Sequence, residues 1–311
     1  MKIPVVLASP LHPPIQAKLE AEYAVHKLYA SSDRAAFLAP LKDNVRAVAT
    51  FSGRVDKDLI AALPKLEIIS TMSIGVDHID LEAAKARNVR VTNTPDVLTE
   101  DVADIAIGLL IALARRLVVG DRFVREGKWL KGPLPLQTKL GGLTMGVLGM
   151  GRIGEAIARR AAAMTMDVVY HNRSPKPGSP FRYYPDLLAM ARDSDVLMVA
   201  CPGGAATRHL VNAKVIEALG ETGMVVNIAR GSVIDEKALV AALASGRLAG
   251  AGLDVFEREP SVPEELIKLD NVVLAPHVGS ATHATREAMG QLMLDNLAAH
   301  FAGKPLLTKV V

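Results

Sequence analysis

Short apolar, β-branched runs alternate along the chain with stretches in which apolar residues return every three or four positions. The first pattern marks buried strands, the second amphipathic helices. In the first hundred residues strands are predicted at 3–8, 24–28, 46–50, 67–71 and 89–92, with helical stretches at 15–22, 34–41 and 56–63 between them. A long helix over 99–118 follows, with Thr99 as its N-cap and Glu100 and Asp101 in its first turn. Residues 125–142, broken by Gly and Pro, read as an excursion. The alternation then resumes, with strands at 144–148, 167–171, 196–200, 224–228, 249–255 and 272–275 and helices at 152–163, 185–192 and 235–245. A last helix covers 281–301. Strand, helix, strand in succession predicts an α/β fold with parallel sheets and crossover helices. Nothing repeats at a fixed period, which excludes a solenoid.

The 311 residues correspond to about two domains of ordinary size. Half of them are apolar and the charge balance is 36 − 33 = +3, so a disordered chain is excluded. Lys and Arg form no stripe interleaved with aromatic residues, so no nucleic-acid partner is expected. The longest strongly apolar run, 105–114, is ten residues, against about 20 for a bilayer span. No membrane partner is expected either. Cys201 is the sole cysteine and has no mate for an internal disulfide, which fits a reducing compartment. With no secretory pattern at the N-terminus, a cytoplasmic protein is expected.

Gly149-Met150-Gly151-Arg152-Ile153-Gly154 follows a predicted strand and opens a predicted helix. In that setting G-x-G-x-x-G is a dinucleotide fingerprint. The first glycine permits a tight turn, the second lets a pyrophosphate approach the backbone, and the third lets helix pack on strand. The next strand ends in His171-Asn172-Arg173-Ser174, where an NAD site ordinarily has an acid for the ribose hydroxyl. With no carboxylate to repel a 2′-phosphate and with Arg173, Asn172 and Ser174 to bind one, NADPH is predicted to be preferred over NADH.

Three polar residues stand just past predicted strands. They are Arg230 after Asn227-Ile228-Ala229, Glu259 before Pro260, and His277 after Ala275-Pro276. Open α/β sheets bind ligands outside the carboxyl ends of their strands, so one crevice could gather all three. Taken singly, each also reads as an ordinary surface or loop residue. No His-Glu-x-x-His occurs, and His277 and His283 lack helical ligand spacing, so no metal is expected. A P-loop is excluded because neither Gly-Lys pair is followed by Ser or Thr.

The glycine loop, Asn227-Ile228-Ala229-Arg230-Gly231, Gly252-Leu253-Asp254-Val255-Phe256 with Glu259-Pro260, and Ala275-Pro276-His277-Val278-Gly279 together resemble the signature blocks of the D-isomer-specific 2-hydroxyacid dehydrogenases. Within that family the chain looks most like the NADPH-dependent glyoxylate/hydroxypyruvate and hydroxyphenylpyruvate reductases. Asn172-Arg173-Ser174, Gly203-Gly204 before Thr207-Arg208-His209, and the terminal Gly303-Lys304-Pro305-Leu306-Leu307 carry that likeness.

The resemblance implies two Rossmann-like domains with parallel sheets, one flavodoxin-like and one NAD(P)-binding, and an active site in the interdomain cleft. Residues 1–98 plus 285–311 would form a discontinuous substrate-binding domain and 99–284 the NADP-binding domain. Arg230 would hold the oxo oxygen and carboxylate of a small 2-oxo acid, His277 would be the general acid, and Glu259 its partner. Ser73, Ile74, Gly75 and Val76 would bind the substrate carboxylate through backbone N–H groups. Thr99, Pro202, Thr207, Ile228, Ala229, Asp254 and Gly279 would join the glycine loop around NADP. Trp129 would reach the substrate pocket of a partner subunit in a homodimer, or else anchor local packing. The implied reaction is the reduction of glyoxylate, hydroxypyruvate or, as a further candidate, arylpyruvates. The alternatives are a phosphoglycerate-dehydrogenase-type enzyme and a non-catalytic, dinucleotide-sensing corepressor-like protein.

Overall fold

The runs Ala47–Thr50, Ile68–Thr71 and Val196–Val199 are buried at every position. Strands covered on both faces read as continuous apolar runs because helices lie above and below a parallel sheet. The computed structural model describes residues 2–311 and divides the chain into two compact units. One holds the residues up to Leu98 together with Ser280–Val311, the other Thr99–Gly279.

In the first unit the strands are β1 (Pro4–Leu7), β2 (Ala24–Lys27), β3 (Ala47–Thr50), β4 (Ile68–Thr71) and β5 (Arg90–Thr92). They pair in the order β2-β1-β3-β4-β5, all parallel, the flavodoxin-like arrangement. The helices are α1 (Pro13–Glu22), α2 (Arg34–Leu38), α3 (Lys57–Ala62), α4 (Leu81–Ala86) and, after the chain returns, α12 (His283–Phe301). α12 lies against β4, where Ser70 Oγ donates to the Met293 carbonyl at 3.1 Å. The final residues run beside β5: Val310 N–H donates to Val91 O at 2.8 Å and Val91 N–H to Val311 O at 3.2 Å. Asn296, fully buried, fastens this tail by accepting from Leu307 N–H and donating to Thr308 Oγ1.

The second unit has α5 (Thr99–Ala114), α6 (Leu117–Arg125), β6 (Thr144–Leu148), α7 (Arg152–Ala163), β7 (Asp167–His171) and β8 (Arg182–Tyr183). It continues with α8 (Leu187–Arg192), β9 (Val196–Val199), α9 (Ala213–Leu219), β10 (Met224–Asn227), α10 (Glu236–Ala244), β11 (Gly250–Leu253), α11 (Glu264–Ile267) and β12 (Val272–Leu274). The sheet order is β12-β11-β10-β9-β6-β7-β8, again all parallel. That is a doubly wound dinucleotide fold with one added edge strand.

Where the pattern predicts one helix over 99–118, the chain breaks at Arg116, whose φ of +47° lies in the left-handed region. The apolar periodicity runs through the break and hides it. Thr99 begins α5 instead of capping it. The two-residue β8 and helices α4, α9 and α11 are additional, and most are too short to carry a readable period.

Asp56 caps α3 by accepting from Leu59 N–H at 2.9 Å, and it takes two bonds from Arg34 at 2.6 and 3.0 Å. The Arg34 guanidinium, opposed by burial and helped by the Leu59 amide, holds the carboxyl down at about 2. The folded value lies below the ordinary one, so this stabilisation is complete above about pH 4 and is lost as pH falls through about 2. Asp56→Asn is expected to remove roughly 1 kcal/mol at pH 7 and to flatten the acid limb of stability, measured by urea unfolding at stepped pH.

Candidate active site

In the second unit, β6 ends at Leu148 and the chain turns at Gly149, whose φ is +103°. A Cβ there would stand 2.5 Å from the Cys201 backbone nitrogen, which puts the loop against the segment following β9. The chain therefore turns where β7 lies on one side of β6 and β9 on the other, the switch point of the sheet. A Cβ on Gly154 would collide with the Gly149 carbonyl, whereas one on Gly151 would meet nothing within 4 Å. The third glycine is thus for packing, and the second leaves the backbone open to approach. Arg152 opens the twelve-residue α7, whose first N–H groups and dipole favour an anion. Ile153 is half-buried behind it.

Asn172 Oδ1 accepts from Met150 N–H at 2.7 Å and so ties the end of β7 to this loop. Arg173 and Ser174 are exposed immediately beyond. The one acid of that strand, Asp167, opens it. The open backbone at Gly151, the helix start and the Arg173-Ser174 edge fit a phosphorylated dinucleotide. Thr207 Oγ1 donates to the Pro202 carbonyl at 2.7 Å, and the two hold the loop after β9. Thr99 Oγ1 is buried with no hydrogen-bond partner among the described residues.

Three further turns pack side by side at the carboxyl edge of the same sheet. Past β10, buried Asn227 accepts from Ala229 N–H and donates to the Arg230 carbonyl, both at 3.0 Å. Ile228 and Ala229 are buried beneath it. Arg230 Nη1 donates to Ala229 O at 2.7 Å, and a Cβ on Gly203 would stand 2.6 Å from the Arg230 Cγ, so glycine there makes room for its stem. A Cβ on Gly231 would collide with the Phe256 backbone, which brings the turn after β10 onto the turn after β11. Phe256 N–H in turn donates to Glu259 Oε1 at 3.0 Å.

Past β12, His277 N–H donates to the Asp254 carbonyl at 2.9 Å. The Asp254 carboxylate accepts from Val278 and Gly279 N–H at 2.7 and 2.8 Å. His277, with φ of +52°, donates from Nδ1 to Glu259 Oε2 at 2.7 Å. Burial raises the Glu259 carboxyl, but the bonds from His277 and Phe256 and the charges of His277 and Arg230 outweigh it, and the group lies below the usual carboxylate range. Arg230, Glu259 and His277 are therefore one electrostatic cluster. Asp254 goes the other way: burial pushes it up despite its two amide donors and His277. Sequence reading missed Asn227, Gly203 and Gly231 as the parts that bring these turns together. The Asn two residues before a strand-end Ala was the available signal, since an Asn side chain can bond its own backbone two residues on.

In the first unit, Ser73, Ile74, Gly75 and Val76 follow β4 in a loop whose carbonyls are held by the chain. Thr94 N–H bonds Ser73 O, Asn93 Nδ2 bonds Ile74 O, and Ser73 Oγ bonds Gly75 O. Trp129 is 66% exposed and so is no anchor of its own chain's packing.

The family description "D-isomer specific 2-hydroxyacid dehydrogenase, NAD binding domain" matches residues 107–279. The chain belongs to that family. It is 49% identical over 310 residues to a glyoxylate/hydroxypyruvate reductase A of Arabidopsis thaliana, covering 99% of each chain. It is 48% identical, at the same coverage, to a hydroxyphenylpyruvate reductase of Plectranthus scutellarioides. Among solved structures, it is similar to an NADPH-dependent glyoxylate/hydroxypyruvate reductase of Sinorhizobium meliloti bound to NADP and malonate. The TM-score is 0.93 at 42% identity, covering 100% of this chain and 97% of that one.

Gly154→Ala is expected to displace the glycine loop and weaken NADPH binding at least about tenfold, read by titration of NADPH fluorescence, while the fold persists.

Proposed function

We propose that this family member reduces small 2-oxo acids to D-2-hydroxy acids with NADPH, with glyoxylate and hydroxypyruvate as the first candidate substrates and arylpyruvates as the next. The observation that carries the reading is the 2.7 Å contact of His277 Nδ1 with Glu259, under the charge of Arg230. NADPH, when bound at the glycine loop, supplies the hydride. Asn172, Arg173 and Ser174 favour its 2′-phosphate over the free hydroxyl of NADH. Thr99, Pro202, Thr207, Ile228, Ala229, Asp254 and Gly279 complete the surroundings of the dinucleotide.

As the carbonyl carbon is reduced, negative charge grows on its oxygen. The Arg230 guanidinium stabilises that charge and orients the planar acid. Glu259, held ionised by its partners, fixes the ring through Nδ1, which leaves Nε2 of His277 to give the oxygen a proton. The Ser73 to Val76 loop, its carbonyls already satisfied, offers N–H groups to the substrate carboxylate.

Leu117, Val118, Val124, Leu130 and Leu136 are exposed on the same 117–136 segment as Trp129. A second copy of the chain covers this face in the proposed homodimer, in which Trp129 meets the partner's substrate. No described helix is long and apolar enough to cross a membrane. Burial pushes the Cys201 thiol up to about 11, so it is a packing residue; a cytoplasmic setting completes the proposal.

Following NADPH absorbance with glyoxylate and hydroxypyruvate tests the reading. The wild-type protein is expected to turn over both, with kcat/KM for NADPH at least about tenfold above NADH. His277→Ala is expected to lose at least about 10² in kcat with NADPH affinity unchanged. Near-normal turnover in that variant removes His277 from the mechanism, and NADPH binding without turnover in the wild type favours a sensor over an enzyme. Sedimentation at micromolar concentration is expected to give a dimer, and Leu130→Asp a monomer.

A further inference from the structure

Arg286 stands in the first turns of α12, four residues past its cap Thr282. Its guanidinium lies over the Phe51 ring, with the central carbon 4.4 Å from the centroid. Nη1 is buried and has no hydrogen-bond partner among the described residues. Burial alone depresses its basicity, with no carboxylate contributing an opposing effect. Taking a guanidinium out of water without a counter-ion or a full set of acceptors is unfavourable. Among the arginines around the first sheet the contrast is clear: Arg34 has Asp56, and Arg46 has Glu67.

The position of this side chain is set by the same edge that carries the Ser73 to Val76 loop. Phe51 follows β3, and its N–H donates to buried Ser9 Oγ at 2.8 Å. Thr71, the last residue of β4, bonds through Oγ1 to the Phe51 carbonyl at 3.5 Å, to Ser73 Oγ at 2.8 Å and to His78 Nε2 at 3.1 Å. The turns after β1, β3 and β4 are thus knitted together, and Arg286 is laid flat on the aromatic member. His283 is three residues earlier on α12, hence on the same helix face, and its ring lies 6.2 Å from that of His12 in the turn after β1. One edge of the first sheet therefore presents nitrogen donors together with the loop proposed to grip the substrate carboxylate.

We infer that Arg286 is a specificity-determining residue that binds an oxygen-bearing substituent on the substrate carbon beyond the keto group. The inference rests on the reductase reading. The Phe51 ring fixes the plane of the guanidinium, and the fork then meets a hydroxyl or carboxylate oxygen that an alkyl chain of the same size cannot supply. A hydrogen bond to a charged donor is worth about 10- to 100-fold in selectivity. Arg286 does not touch the reacting atoms in this scheme, so substrates with nothing beyond the keto group are indifferent to it.

The test compares hydroxypyruvate with 2-oxobutanoate, which replaces its hydroxyl by a methyl, and with glyoxylate, which has neither. The wild type is expected to favour hydroxypyruvate over 2-oxobutanoate at least about tenfold in kcat/KM. Arg286→Met is expected to lower kcat/KM for hydroxypyruvate about 10- to 100-fold and to leave glyoxylate and 2-oxobutanoate within about threefold, with Arg286→Lys restoring part of the loss. An equal fall for all three acids shows a merely structural stacking role and overturns the inference. So does an unchanged preference, or a wild type that ignores the hydroxyl. If Arg286→Met does not fold, as judged by circular dichroism, Arg286→Gln and Arg286→Lys carry the same comparison. A folded wild type that oxidises NADPH with none of the three acids defeats the reductase reading itself, and Arg286 falls with it.

Discussion

Asp254, 1% exposed at the end of β11, accepts from Val278 and Gly279 with its two carboxylate oxygens while its carbonyl takes the His277 N–H. The position of the imidazole depends on this arrangement. A left-handed conformation at a residue with a Cβ is unfavourable by about 1–2 kcal/mol, and His277 holds one. Three hydrogen bonds to one buried residue over-determine the turn and offset that strain. With the backbone so fixed, the ring is held on Glu259 through Nδ1. An outlier sustained by its surroundings fits the proton-donor role proposed for His277.

The same economy operates on a larger scale. A parallel sheet sends every strand out at one edge, so residues distant in sequence become neighbours without long loops. In the second unit this edge collects the glycine loop, the Arg230 turn, the Glu259 turn and the His277 turn. In the first unit it collects Ser9, Phe51 and the Ser73 to Val76 loop. Small residues decide how closely the turns approach: Gly203 admits the Arg230 stem, and Gly231 admits the Phe256 backbone. Replacing either by a residue with a Cβ would push apart groups whose electrostatics work only at contact distance.

The α/β class, the parallel order and the glycine loop were legible in the sequence because each rests on local information. Buried strands are continuous apolar runs, and the fingerprint needs only a strand before it and a helix after. Arg230, Glu259 and His277 were legible as strand-end residues that one crevice could gather, and the family resemblance implied the pairing of His277 with Glu259; the packing of the three turns through Asn227, Gly231 and Asp254 was not legible. The break at Arg116 was hidden because apolar periodicity continues from α5 into α6 while the change lies in one backbone dihedral. Arg286 gave no signal at all. An arginine early in an amphipathic helix reads as a solvated charge until the fold lays it on Phe51, 235 positions earlier in the chain.

The return of the chain after Gly279 bears on how the protein is made. The first unit is built from the segments on either side of the second, with α12 against β4 and Val310 and Val311 hydrogen-bonded to Val91 of β5. On the ribosome its strands emerge first, yet its core stays open until Ser280–Val311 has followed, whereas Thr99–Gly279 holds all of its own strands earlier. Domains fold as units during synthesis, commonly from the N-terminus. Here the inserted segment has all its partners before the strands that precede it, and β1 to β5 must wait for α12 to arrive.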